Sequence, residues 1–126
     1  MTLRSLVASS LLLGCAFMAQ ALEIKPYTAA ALAQAQAANQ PVAIHFHADW
    51  CPTCRAQDRA LELLKSDPAL GITVLKANYD TEKDLKRRFN VRAQSTLVVL
   101  HGKTESARLV GETGAPAIGA ALKAAL

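Results

Sequence analysis

The sequence predicts an α/β domain built on a mixed four-stranded sheet: three parallel strands plus an antiparallel terminal hairpin, flanked by helices. Three observations predict it. Short apolar runs rich in Val, Ile, Leu and Phe recur at Pro41 to His47 (PVAIHFH), Gly71 to Ala77 (GITVLKA) and Thr96 to Leu100 (TLVVL). Segments of helical spacing separate these runs, which calls for right-handed parallel crossovers. A turn at His101-Gly102-Lys103 then leads to a fourth strand, Ala107 to Val110, near enough to pair antiparallel with the third.

The elements follow in order. Ala29 to Ala38 is rich in Ala and Gln, strong helix formers, with Thr28 placed to cap the helix and Asn39-Gln40-Pro41 to end it. In the first strand Val42, Ile44 and Phe46 fall on one face and Ala43, His45 and His47 on the other, so both histidines point the same way. From Pro52 to Lys65 the residues Ala56, Ala60, Leu61, Leu63 and Leu64 recur at helical spacing, and Ser66-Asp67-Pro68 stops the helix. Pro52 suits a first helical turn, where a missing N–H costs nothing. Thr81 to Phe89 reads as a short helix capped by Thr81, and Ala115 to Leu126 as the last helix.

A chain of 126 residues, 52% hydrophobic and 19% charged, has the length and composition of one globular domain. The first residues differ. Arg4, an apolar run from Leu6 to Met18, and Ala19-Gln20-Ala21 reproduce the charged, apolar and small-x-small regions of an export signal. That run is too short for a membrane span of ~20 residues. The expected division is therefore a signal peptide at 1–21 and one domain at 22–126, with a periplasmic location. A rival is visible in Leu12-Leu13-Gly14-Cys15, which resembles a lipobox; Leu13 fits that pattern poorly, and Cys15 also reads as a small apolar residue of the signal.

Without residues 1–21 the chain keeps 13 basic and 10 acidic side chains. The balance is too mild, and too free of interleaved aromatics, to point to nucleic acid. Lys83, Lys86, Arg87 and Arg88 form the densest basic cluster and read as the solvated face of a helix.

The chemistry lies in AIHFHADWCPTC, Ala43 to Cys54. Two cysteines in one turn supply no disulfide framework for a fold. At the start of a helix, Cys51 faces unpaired backbone N–H groups and the positive end of the helix dipole, which favour its thiolate. Cys54, one turn on, is placed to attack a mixed disulfide formed at Cys51 and release the partner. That step calls for a base, and His45 on the covered face of the first strand is the residue to supply it, although a satisfied core histidine reads equally well. A structural disulfide or half a zinc site are the other readings of C-x-x-C; no second C-x-x-C or H-x3-H accompanies it.

With the helix order and the terminal hairpin, DWCPTC resembles the thioredoxin family over Pro41 to Leu126. VLKANYD is similar to the family's second strand with its buried lysine, FNVRAQSTLVVLHGK to the segment that carries the active-site cis-proline, and RLVGET to the last strand and its glycine, Gly111. The resemblance implies that Cys51 is the nucleophile and Cys54 the resolving cysteine. It makes Lys76 a partner of the buried ionisable group and Trp50 the flanking aromatic. It also implies that substrate docks at Trp50, Ser95 and Thr96 and that the redox-active pair serves without a further cofactor.

Three departures stand out. His45 occupies the place of a buried aspartate, and burial together with Lys76 should lower its pKa. Ser95 replaces the cis-proline, so the Gln94-Ser95 peptide is expected to be trans, since a non-proline cis bond costs about 2.5–4 kcal/mol. Arg59 stands near the place of a helix-kinking proline.

The expected function is an exported, monomeric thiol–disulfide oxidoreductase that reduces oxidised client proteins and is recharged by a membrane thiol donor. The alternatives are introduction of disulfides, binding of zinc or copper through Cys51, Cys54, His45 and His47, and a peptide-binding module with incidental cysteines.

Overall fold

The computed structural model describes residues 21–126. The signal-peptide reading, apart from Ala21, and the reading of Cys15 as a lipidation site lie outside the described residues. No helix among the described residues is long and apolar enough to cross a membrane.

Nine elements run along the described residues: β1 (Glu23–Pro26), α1 (Ala29–Ala37), β2 (Pro41–His47), α2 (Pro52–Leu64), β3 (Thr73–Asn78), α3 (Lys83–Arg88), β4 (Thr96–His101), β5 (Thr104–Val110) and α4 (Ala115–Lys123). The sheet has five strands in the order β1-β3-β2-β4-β5. The added strand, β1, lies parallel to β3 at the sheet edge. Its four residues, EIKP, hold one aliphatic side chain and a proline, too little alternation to announce a strand.

The second difference concerns direction. β2 and β3 are parallel, but β4 runs antiparallel to β2 as well as to β5. β4 sets out from the end of the sheet where β3 stops. This direction positions the site: the start of β4 lies beside the end of β2, with Thr96 paired to Phe46.

Helices cover both faces of the sheet. Val42, Ile44 and Phe46 of β2 pack with Leu32 of α1 and Leu85 of α3 on one side. On the other, Ala43 packs with Ala60 and Leu61 of α2 and with Ile118 and Leu122 of α4. β2 is thus buried on both faces, as a central strand between two helical layers must be.

Local signals act as their chemistry requires. Thr28 caps α1, its side chain accepting from the Ala31 N–H at 3.0 Å. Thr81 does not cap α3, which begins after Glu82 without a side-chain cap. In α2 the buried positions are Cys54, Gln57, Ala60 and Leu61, whereas Leu63 is 70% exposed. The α2 face toward the sheet therefore holds a polar residue, Gln57, that apolar periodicity alone passes over.

Candidate active site

Helix α2 starts at the cysteine pair. Cys51 is its N-cap, with Pro52 in the first turn. The loop before it is fixed by the Cys51 N–H donating to Ala48 O at 3.1 Å and by Arg55 Nη1 donating to Asp49 O at 2.8 Å. Cys51 Sγ accepts the Cys54 N–H at 3.1 Å, the position of a capping oxygen at an ordinary helix start.

Both cysteines are unbridged and buried, with 2% of Cys51 and none of Cys54 exposed. Burial raises the Cys51 thiol, but hydrogen bonds from the Cys54 thiol, the Ser95 hydroxyl and the Cys54 and Thr53 backbone outweigh it and bring the pKa below the ordinary value. Cys54 lies deeper. Burial, together with its hydrogen bond to Cys51, raises its pKa against the lowering effect of Ser95. Cys51 therefore gives up its proton more readily than Cys54.

Ser95 stands between them: its Oγ is 3.3 Å from Cys51 Sγ and 3.0 Å from Cys54 Sγ. The antiparallel β4 brings it there, at the residue preceding the strand. Its backbone N–H donates to Phe46 O at 2.9 Å, and its carbonyl accepts from Gly111 N–H at 3.0 Å. The described residues contain no cis peptide, in keeping with the trans expectation at Gln94-Ser95. Ser95 instead adopts φ +61, in the left-handed region.

His45 and His47 share the α2-facing side of β2, as alternation predicts, and their rings meet edge to face with centroids 5.4 Å apart. His45 Nε2 is 2.8 Å from Gln57 Oε1. Both amide hydrogens of Gln57 are engaged, one with Ser95 O at 2.9 Å and one with Glu112 O at 2.8 Å. The Gln57 oxygen is therefore an acceptor and His45 carries its proton on Nε2. That leaves Nδ1 as a buried lone pair with no hydrogen-bond partner, 3.8 Å from Asp58 Oδ1. Burial is the main reason the His45 pKa falls to about 4; the Gln57 bond and Asp58 oppose the fall, while His47 and Lys76 assist it. The polar contacts of this ring are with α2 side chains, not with either sulfur.

Asp58, which sequence reasoning passed over, organises the rest. Its Oδ2 accepts from His47 Nε2 at 2.8 Å and from Lys76 Nζ at 3.0 Å. Lys76 lies opposite His45 in the β2/β3 register, so its ammonium would face an imidazole if α2 did not supply the carboxylate. The acid absent from β2 is thus provided by the helix. Asp58 follows Cys54 by four residues and Cys51 by seven, a helical spacing that places all three on one side of α2 and could have singled it out. Gln57, three residues after Cys54, carries the same kind of signal.

The remaining predicted site residues lie at the rim or beneath it. Trp50 is 58% exposed, with Nε1–H donating to Asp80 Oδ2 at 2.8 Å. Thr96 is buried and its hydroxyl donates to Ala93 O at 2.7 Å, bracing the turn before β4. Arg59 is exposed on an α2 that runs unbroken from Pro52 to Leu64. The four-residue metal set does not assemble: both histidines turn polar atoms toward α2, and no three His, Cys, Asp or Glu among the described residues are grouped to hold an ion.

A five-stranded mixed sheet between helices, with a C-x-x-C pair at the start of α2, defines a thiol–disulfide redox domain. The thioredoxin family model matches residues 23–124, and the chain belongs to the thioredoxin family, whose members are thiol–disulfide oxidoreductases with the cysteine pair as their redox group. Thioredoxin from Mycobacterium bovis is 32% identical over 80 residues, 64% of this chain and 69% of that protein. A bifunctional thioredoxin reductase/thioredoxin from Mycobacterium leprae is also 32% identical over 80 residues, which make up 18% of its length. Among solved structures, Trxlp from Edwardsiella tarda superposes with a TM-score of 0.74 at 40% identity, covering 79% of this chain and 98% of that one.

Proposed function

We propose that this protein is an exported disulfide reductase that acts on oxidised client proteins in the periplasm through Cys51 as nucleophile and Cys54 as resolving thiol. The observation that carries the two cysteine roles is the asymmetry of the pair: Cys51 caps the helix and accepts the Cys54 N–H, its pKa lowered, while Cys54 lies deeper with its pKa raised. Cys51 attacks a client disulfide, forming a mixed disulfide and expelling one client thiolate. Cys54, on losing its proton, attacks Cys51 Sγ and expels the second. The client gains two electrons and two protons, and Cys51 and Cys54 become a disulfide.

Export rests on the signal-like residues 1–21. In an oxidising compartment the pair needs a thiol donor to recharge it, and a membrane dithiol carrier is the class of partner that can reach it there; the protein itself acts as a monomer. Trp50 flanks the approach to Cys51. Ser95 has its own N–H and carbonyl bonded to Phe46 and Gly111, so an added client strand pairs through Gln94, the residue before it.

The opposite direction has one observation in its favour. Hydrogen bonds from Ser95 and the backbone stabilise the Cys51 thiolate, hence the dithiol form, and move the potential toward that of an oxidant. A potential near −270 mV supports the reductase, one near −120 mV the oxidant.

The function is tested by trapping clients in cells with Cys54→Ala. Adducts should accumulate at Cys51, in the periplasmic fraction, on a chain beginning at Leu22. Absence of adducts, or equal trapping by Cys51→Ala through Cys54, would overturn the assignment of roles.

A further inference from the structure

Ser95 is the residue for which fold stability gives no reason. Among the described residues three non-glycine residues have positive φ, and two are asparagines, Asn39 and Asn90, which tolerate that region. Ser95 has no such excuse, and holding it at φ +61 costs on the order of 1 kcal/mol or more. The backbone is fixed at three points: N–H to Phe46 O, and carbonyl from both Gly111 N–H and Gln57 Nε2. A proline, confined to φ near −65°, cannot adopt this backbone. The strain and the three anchors hold one atom, Oγ, within hydrogen-bond distance of both sulfurs while 2% of the residue is exposed.

A hydroxyl has one proton to give and lone pairs to accept with. In the dithiol state it donates to the Cys51 thiolate, beside the Cys54 thiol, whose own proton goes to the same sulfur. When Cys51 enters a mixed disulfide its charge is gone, and the best acceptor in reach becomes Cys54. Rotation about the Cβ–Oγ bond is enough to redirect the proton, with no backbone movement.

We propose that Ser95 is a catalytic residue whose hydroxyl donates alternately to the two sulfurs, to Cys51 before attack on the client and to Cys54 during resolution. No bond to Ser95 is made or broken. The Cys54 proton leaves to water, the hydroxyl stabilises the thiolate so formed, and that electron pair forms the Cys51–Cys54 bond as the client thiolate departs and takes up a proton. The inference rests on the dithiol assignment above, and its test needs no natural client.

The test uses Ser95→Ala, which deletes Oγ, and Ser95→Thr, which keeps it. Cys51 is titrated by its alkylation rate against pH. Resolution is followed separately by loading Cys51 with 2-nitro-5-thiobenzoate and timing its release by Cys54 in stopped flow. Ser95→Ala should raise the Cys51 midpoint by about one pH unit. It should also slow release about tenfold near neutral pH and move the release profile to higher pH, consistent with loss of a hydrogen bond to a charged sulfur. Ser95→Thr should restore both. A merely structural role would lower the melting temperature and leave both profiles in place. Release unchanged in Ser95→Ala while the Cys51 midpoint rises would show that the hydroxyl serves Cys51 alone, and would overturn the alternation. Failure of the in-cell trap with the release assay intact would instead overturn the client reading and leave this one standing.

Discussion

Acidification should destabilise the protein through His45, by an amount the structure sets. The ordinary imidazole value is 6.5, and burial beneath α2 lowers that of His45 to about 4. Between these values the unfolded chain binds a proton that the folded chain refuses. The contribution is therefore complete above pH 6.5, shrinks as the pH falls through the window, and is gone by about pH 4. The gap between the two values corresponds to about 3 kcal/mol at 1.36 kcal/mol per pH unit, a large part of the 5–15 kcal/mol typical of a domain. Urea unfolding of wild type and His45→Gln, followed by circular dichroism from pH 4 to 7.5, isolates it, because titrations common to the two proteins cancel in the difference. The stability of wild type relative to the variant should fall by about 3 kcal/mol from pH 7 to 4. Parallel curves would refute the reasoning, as would an NMR titration placing His45 above 6.5.

Two further outcomes follow from the residues that hold this ring. Asp58→Asn removes the carboxylate that opposes the fall in the His45 pKa and that pairs with His47 and Lys76. The His45 midpoint measured by NMR should move lower still, and urea unfolding should show a loss of about 1–2 kcal/mol, since Asp58 is partly solvated; a higher midpoint would contradict the role given to Asp58. Gln57→Leu keeps volume but strands the buried His45 Nε2–H, removes the amide donor from Glu112 O and leaves Ser95 O with the Gly111 N–H alone. A loss of about 2–4 kcal/mol is expected, read as a lower urea midpoint with unchanged slope; a neutral variant would mean that water replaces the amide.

The parts of the site that were legible in the sequence are those set by local spacing. Alternation in PVAIHFH put both histidines on the covered face, and Cys51-Pro52 before a helical run placed a sulfur at its N-terminus; the structure has both. The parts that were not legible depend on where distant segments meet. β1 gave too short a pattern, and the direction of β4 is set by its pairing with β2, a contact between distant segments. With β4 reversed, Ser95 comes from 41 residues away in sequence to the Cys54 sulfur. Gln57 was hidden for another reason: a buried amide within an apolar helix face looks like an error of periodicity until its three partners, on β2, before β4 and after β5, are known.

These residues also show why His45 and Ser95 belong together. A carboxylate on β2 would lie beside the Asp58 carboxylate, and two like charges in contact repel. With a neutral imidazole there, Asp58 can serve His47 and Lys76 as a carboxylate. The Nε2–H of His45 then fixes Gln57, one of whose amide hydrogens holds the Ser95 carbonyl. His45 reaches the sulfurs through this chain of contacts, as the residue that orients the residue that orients Ser95. The strand histidine and the serine before β4 are two ends of one hydrogen-bonded connection, and a change at either end should be felt at the other.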